Sequence, residues 1–203
     1  MLRLIFKIYN KFYLVVLDPL QHIVGKLYLK AAGVNFGQGV RLFGLPIISV
    51  YPKSQIVIGD RVLLRSSSRG NAIGVNHQVV LRTQSEGALI QIGNRVGMSG
   101  GAICARRRVI IADDVLIGAN VVIADNDFHA ITHEARIAGE NDIVAKEIVI
   151  ERGVWIGADV YICKGVTIGE NSVIGAKSVV TKSLPANCIA VGIPAKVVRE
   201  ISF

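Results

Sequence analysis

His129 is the side chain whose type best suits moving a proton near neutral pH. It closes the run Asp125-Asn126-Asp127-Phe128-His129. An imidazole with carboxylates a few residues away can be held in one tautomer and act as a general base. On the residues alone it is equally an ordinary surface histidine. His133, four positions on, is either a second acceptor-binding group or simply exposed. A metal on this pair would need a third matched ligand, and no metal is expected. His77, beside Asn76 in GVNHQVVLRT, either lines the acceptor end of a groove or belongs to a structural turn. Two cationic groups stand apart from these. Arg106, Arg107 and Arg108 form one run, and Lys177, Lys182, Lys196 and Arg199 gather near the C-terminus. Either group can meet phosphates or an acidic sugar, or can be solvated surface.

The formal charge of +8 admits nucleic acid, an anionic membrane or a phosphorylated small substrate as partner. Zinc-finger spacing and an aromatic-rich basic groove are both absent from the sequence, so no nucleic acid is expected. Cys104, Cys163 and Cys188 are single and far apart, which argues against a disulfide scaffold and fits a reducing, cytoplasmic setting. Cys104 and Cys163 are expected at or near inward positions, as small buried hydrophobes.

What positions these groups is a six-residue rhythm: Ile150, Ile156, Ile162, Ile168, Ile174, Val180. Small or β-branched residues follow four places on, at Val154, Val160, Val166, Ser172 and Ser178. This period is neither helical nor a simple strand alternation and marks a solenoid of short flat faces. Earlier turns of the rhythm are Phe36, Leu42 and Ile48, then Ile58 and Leu64. It blurs from Arg65 to Gly87 and resumes at Ile92, Met98 and Cys104. One extra residue then shifts the phase before Ile111, Ile117 and Ile123. Three hexapeptides close a triangular coil of about 18 residues, and coils stack at roughly 4.8 Å. The fold expected over 35–182 is an all-β solenoid, a parallel β-helix whose hand the period alone does not give. Residues 125–146 break the rhythm as an inserted loop, and loops of this kind are where function concentrates.

The flanks differ in style. Residues 1–34 interleave Arg3, Lys7, Lys11, Lys26 and Lys30 with Leu4, Ile5, Ile8, Phe12 and Val15. They read as an amphipathic helical segment broken near Pro19, either capping the solenoid or lying on an anionic membrane. No apolar stretch is long enough to span a bilayer. Residues 183–203, with Pro185 and Pro194, read as a short cap over the last coil.

The stretches IGNRVGMSGGAICARRRVIIADDVLIGANVVIADNDFHAI and WIGADVYICKGVTIGENSVIGAKSVVTKSLPANCIAVGIPAKVVREI resemble the hexapeptide-repeat acyltransferases. Within that family the likeness is to the sugar O-acetyltransferases of capsule, exopolysaccharide or lipopolysaccharide synthesis. It is strong over Ile90 to Ile201 and loose over Asn35 to Leu89. The resemblance implies a left-handed β-helix, a homotrimer with active sites between subunits, and acetyl-CoA as acyl donor. It makes His129 the general base of a direct transfer in a ternary complex, with Asp127 or Asp125 orienting it. Where the family often places an asparagine opposite this histidine, the present sequence has MSGG. Ser99, or the Gly100 amide, would then supply the oxyanion donor.

By the same resemblance acetyl-CoA lies along the C-terminal coils. Ala158 and Ala176 would let the pantetheine arm approach the backbone. Lys177, Thr181, Lys182, Lys196 and Arg199 would meet the adenine and phosphates. From the residues themselves, Asn76, His77, Arg106 and Asp125 are expected to bind the acceptor, which is a sugar, nucleotide sugar or lipid-linked glycan. The rival readings are N-acetylation of an amino-sugar nucleotide, and a non-catalytic β-helix scaffold. A zinc carbonic anhydrase on the same kind of solenoid would need three converging histidines, and His22 is remote in sequence.

Overall fold

The computed structural model describes Arg3 and residues 18–139 and 142–202. Expectations that rest on Lys7, Lys11 and the apolar residues among them lie outside the described residues. Each hexapeptide forms a short strand and a corner, and the strands stack into three faces. The first face contains Asn35–Phe36, Gln55–Ile58, Leu89–Ile92, Arg108–Ile111, Ile148–Ile150 and Thr167–Ile168. The second contains Arg41–Phe43, Leu63–Arg65, Gly97–Ser99, Leu116–Ala119, Trp155–Ile156 and Val173–Ile174, then Cys188–Gly192 and Ala195–Glu200. The third contains Ile47–Ser49, Val80–Thr83, Ala102–Ala105, Val122–Ala124, Tyr161–Ile162 and Val179–Val180. Neighbouring strands pair in parallel, and the last hairpin is antiparallel. The architecture is a three-sided parallel β-helix.

The six-residue rhythm becomes three inward ladders. Ile58, Ile92, Ile111, Ile150 and Ile168 stand one above another on the first face. Leu64, Met98, Ile117, Ile156 and Ile174 do so on the second. Leu81, Ile103, Ile123, Ile162 and Val180 do so on the third. All are at most 4% exposed, and each such side chain contributes about 1.5–3 kcal/mol by leaving water.

The third ladder corrects the expected phase. Ile103, not Cys104, is the inward residue, because the corner after Met98 is one residue short. Gly100 and Gly101 make that corner, both with positive φ (58° and 76°). A Cβ on Gly101 would stand 2.2 Å from the Val121 carbonyl oxygen, so only glycine fits there. The lost residue is regained, with one more, through Arg106–Arg108 before Ile111. Cys104 consequently faces outward and is only half-buried; Cys163, one past the inward Ile162, is also half-buried, while Cys188 is fully buried.

The helix Asp18–Ala31 closes the first end of the prism. Its Leu29 is fully buried, and Gly25 lies against Leu42 so closely that a Cβ would meet Leu42 Cδ1 at 2.5 Å. The amides of the first coil have no coil beneath them to bond. Leu42 N–H donates instead to His22 Nδ1 at 3.1 Å, and Ile48 N–H to the Tyr28 hydroxyl at 3.3 Å. His22 also packs edge-on against Phe43, with ring centroids 5.3 Å apart. At the other end Leu184 bridges to Ile168 and joins the core, Ala195 packs against it, and the hairpin prolongs the second face.

Candidate active site

Two edges of the prism carry the residues with chemistry. The edge between the third and first faces bears the inserted loop and is called the loop edge. The loop leaves after Ala124 and rejoins at Ile148. Its ends are clasped: Asn126 pairs with Ala145, and Lys146 N–H donates to the Asp125 carbonyl at 2.8 Å.

Asp125 takes a different part from the expected one. It is 0% exposed, and its carboxylate accepts the backbone N–H groups of Arg106, Arg107 and Arg108, each at 2.7 Å. The Asn126 amide donates to the same carboxylate at 3.0 Å and to Gln84 Oε1 at 3.0 Å. So Asp125 holds the widened turn of the coil below, and has no free oxygen for an acceptor or for His129. The arginine run is a turn for the same reason. Arg106 is held there by its backbone, and Arg108 reaches Glu147 at 3.7 Å.

Asp127 is tied differently. Its Oδ1 pairs with Lys164 Nζ on the coil above, and its Oδ2 is buried with no hydrogen-bond partner among the described residues. Phe128 follows with φ of +62°, its N–H donating to Asn126 Oδ1 at 2.9 Å. His129 is thereby presented exposed, and its imidazole has no partner among the described residues. Beside it a pocket of about 220 Å³ is lined by Asn126, Asp127, Phe128, Tyr161, Cys163 and Lys164. Burial pushes the Cys104, Cys163 and Tyr161 groups up in pKa. Both thiols therefore stay protonated at neutral pH and are poor nucleophiles. His133 opens the short helix His133–Ile137, capped by the Thr132 hydroxyl.

The edge between the second and third faces carries a groove and is called the groove edge. The groove encloses about 530 Å³ and runs past Trp155, Ala158 and Ala176. Gly157 forms part of its floor, because a Cβ there would stand 2.6 Å from the Ala176 nitrogen. The N–H groups of Ala158 and Ala176 donate to no protein atom among the described residues. They are free donors spaced one coil apart. Lys177 sits at the same corner with φ of +61°.

Ser99 lies further along this edge, 5% exposed, with its carbonyl accepting from Asn120 N–H at 3.0 Å. The Gly100 amide is not available as an oxyanion donor, since it already donates to the Arg65 carbonyl at 2.8 Å. Of the two expected donors, only the Ser99 hydroxyl remains. Asn76 and His77 belong to the loop 66–79, which packs over Gly100, where a Cβ would meet the His77 carbonyl oxygen and Val75 Cβ, each at 2.9 Å. Asn76 N–H donates to Asn120 Oδ1 at 2.8 Å, and His77 Nδ1 lies 2.7 Å from the Gln78 carbonyl oxygen.

The expected site residues thus fall into two sets within one chain. Ser99, Asn76, His77, Ala158, Ala176 and Lys177 share the groove edge. His129, Asp127, Asp125 and Arg106 share the loop edge. Thr181 and Lys182 are exposed at the loop edge of the last coil, and Lys196 and Arg199 are exposed on the final strand. Lys164 and the tip of loop 66–79 were not among the expected residues. Lys164 was within reach of coil arithmetic, since Ile123 pairs with Ile162 and so sets Lys164 above Asp125.

The profile of the bacterial transferase hexapeptide (six repeats) matches residues 147–182. The chain is 49% identical over 94 residues to the galactoside O-acetyltransferase of Escherichia coli K12, a match covering 46% of this chain and 45% of that relative. It therefore spans under half the length of the curated relative it matches. Among solved structures, a hexapeptide-repeat-containing acetyltransferase from Vibrio cholerae, complexed with acetyl coenzyme A, superposes with a TM-score of 0.54 at 25% identity, over 88% of this chain and 77% of that one. A maltose O-acetyltransferase from Clostridium difficile superposes with a TM-score of 0.51 at 25% identity, over 88% and 75%. The stacked parallel sheets and these neighbours fit a left-handed β-helix; residues 147–182 carry the bacterial transferase hexapeptide, and the chain is similar in sequence to a galactoside O-acetyltransferase and in fold to acetyltransferases.

Proposed function

We propose that this chain is an acetyl-CoA-dependent O-acetyltransferase that modifies a sugar hydroxyl in surface polysaccharide or glycolipid synthesis. The observation that carries this reading is the 49% identity over 94 residues with a galactoside O-acetyltransferase. The groove supports it: small residues and two free N–H donors suit the amides of a pantetheine arm. Exposed Lys177, Lys182, Lys196 and Arg199 suit the phosphates of coenzyme A.

In this reading His129 removes the acceptor hydroxyl proton as the oxygen attacks the thioester carbonyl. Negative charge gathers on that carbonyl oxygen and is met by the Ser99 hydroxyl. The C–S bond then breaks and coenzyme A leaves as the thiol. Asp127, anchored by Lys164, keeps one carboxylate oxygen for the imidazole or another donor. With both nearby thiols held protonated, a direct transfer is favoured over an acyl-cysteine intermediate.

Because His129 and the groove stand on different edges of one chain, a complete site needs the loop edge of one subunit against the groove edge of the next. A homotrimer supplies that arrangement. Work at the inner face of the cytoplasmic membrane completes the proposal. Leu20, Ile23, Val24 and Leu27 form an exposed apolar stripe on the capping helix, flanked by Lys26 and Lys30. Among the described residues no helix is long and apolar enough to cross a membrane. Flotation with anionic liposomes at low salt tests the contact, and failure of the full chain to bind would remove it.

The deciding experiment measures coenzyme A release from acetyl-CoA with a panel of sugars and nucleotide sugars. Acceptor-dependent release should fall about 10²–10⁴-fold in His129→Ala, the usual contribution of a general base. Unchanged release would reassign the base, and absence of acetyl-CoA binding would leave a scaffold.

A further inference from the structure

The first two coils carry a pair of cations with no part in the site described so far. Arg41 and Phe43 stand two residues apart on one strand, both on its outward side, and Arg65 stands beside Phe43 on the strand of the next coil. The Arg41 guanidinium lies over the Phe43 ring, 5.3 Å from its centre, and the Arg65 guanidinium lies 5.7 Å from the same centre. The negative face of the ring attracts both cations and holds them in place. His22 packs edge-on against that ring, so the stack is tied to the capping helix.

Neither guanidinium meets a carboxylate or any other hydrogen-bond acceptor among the described residues. The contrast is with Arg95 and Arg152, which share the carboxylate of Asp114. Two like charges on one ring repel each other. Arg65 is also half-buried, so its charge is only partly hydrated. An anion from outside the chain relieves both costs. The planar fork of a guanidinium matches the paired oxygens of a phosphate.

The surroundings select among anions. Phe43, Arg65 and Ser99 form one column on the second face, a coil apart at about 4.8 Å each. The loop with Asn76 and His77 leaves directly after Arg65. Before Phe43 comes the capping helix, on which Leu20, Ile23, Val24 and Leu27 are exposed. Along the prism axis the order is apolar stripe, cationic pair, Ser99. A glycan carried on a lipid diphosphate has that same order: apolar chain, diphosphate, sugar.

We propose that Arg41 and Arg65, stacked on Phe43, bind the diphosphate that carries the acceptor sugar. The inference rests on the O-acetyltransferase reading, with Ser99 at the reacting end. The acceptor is then a sugar diphosphate ester rather than a free sugar. The group beyond the diphosphate is a lipid or a nucleoside, and the pair recognises the phosphates of either.

Calorimetric titration of the full-length protein tests this, with excess coenzyme A present to fill the donor's own phosphate site. The probes are farnesyl diphosphate, UDP-glucose and methyl glucoside. At least one diphosphate should bind wild type, and more tightly than methyl glucoside. Arg41→Gln and Arg65→Gln should each weaken that diphosphate about tenfold or more, the usual share of a charge-assisted hydrogen bond. Arg65→Lys should recover only part of the loss. Acetyl-CoA affinity and Tm should stay at their wild-type values. Tighter farnesyl diphosphate supports the site and assigns a lipid, and tighter UDP-glucose supports it and assigns a nucleoside. No diphosphate binding, or equal affinity in wild type and both glutamine variants, would overturn the site. Parallel loss of acetyl-CoA affinity would mark a folding role and overturn it as well. Coenzyme A release unaffected by His129→Ala would count against the proposed base alone, because diphosphate binding is read without turnover.

Discussion

Substituting Asp125 by asparagine separates a structural carboxylate from an acceptor-binding one. In the native chain two carboxylate oxygens accept four donors: the N–H groups of Arg106, Arg107 and Arg108, and the Asn126 amide. Asparagine keeps one oxygen. Its NH₂ would then face the Arg107 and Arg108 amides, donor against donor. A buried donor stripped of its partner costs about 1–3 kcal/mol. Since these three bonds are only partly buried, the lower end of that range applies, about 1–1.5 kcal/mol for each donor and about 2–3 kcal/mol for the pair. For a chain of this size that lowers the apparent Tm by roughly 4–12 °C. The assay is a thermal melt at fixed protein concentration, run beside the coenzyme A release assay. A lowered Tm with unchanged acceptor KM is the expected result. An unchanged Tm with a raised acceptor KM would refute the structural role and restore Asp125 to the acceptor site.

Two further outcomes follow from the ion pairs. Lys164→Met should lower kcat about tenfold through loss of the pair that anchors Asp127, with acetyl-CoA KM unchanged, and Lys164→Arg should restore it; equal kcat in all three proteins would exclude a positioning role. Asp114 is held down to about 2 by its bonds to Arg95 and then Arg152. Its contribution is therefore present above the ordinary carboxylate pKa and lost as pH falls through about 2. Asp114→Asn should accordingly melt lower than wild type at pH 7, and the gap should close in acid.

The inner ladders were legible because a period of six repeats one environment: Ile150 to Val180 fall inward without exception. Cys104 misled because the rhythm was extended at constant length across Gly100–Gly101, where two successive glycines allow a shorter corner. Those glycines were the available signal. Asp125 is expected, from its chemistry and its closeness to His129, to bind the acceptor or orient the imidazole. Its partners lie one coil below, 17–19 positions earlier, and a carboxylate bonded to main-chain amides leaves no trace in side-chain type. The same holds for Lys164 and Asp127, which meet across 37 positions. The division of the site between two edges was countable from the rhythm. Ala158 and Ala176 follow second-face strands, whereas Thr181 and Asp125 follow third-face strands. Grouping the residues by chemistry concealed it. The tip at Asn71–Ile73 carries no periodicity, and only the assembled coils place it along the groove.

The helix that seals the first coil has a consequence for how such a chain can change over generations. Repetition sets no length of its own, because every coil offers the next the same row of amides. Here His22 and Tyr28 end the series by accepting two of those amides from outside the repeat, and the antiparallel turn of Ala195–Glu200 ends it on the opposite side. Length is therefore written in the two terminators, and the span between them is free to grow or shrink by whole coils. Adding one coil between loop 66–79 and Ala158 would move the loop about 4.8 Å along the groove without altering either terminator. A change in the reach of the site can thus arise by duplicating a unit, with no new side chain needed.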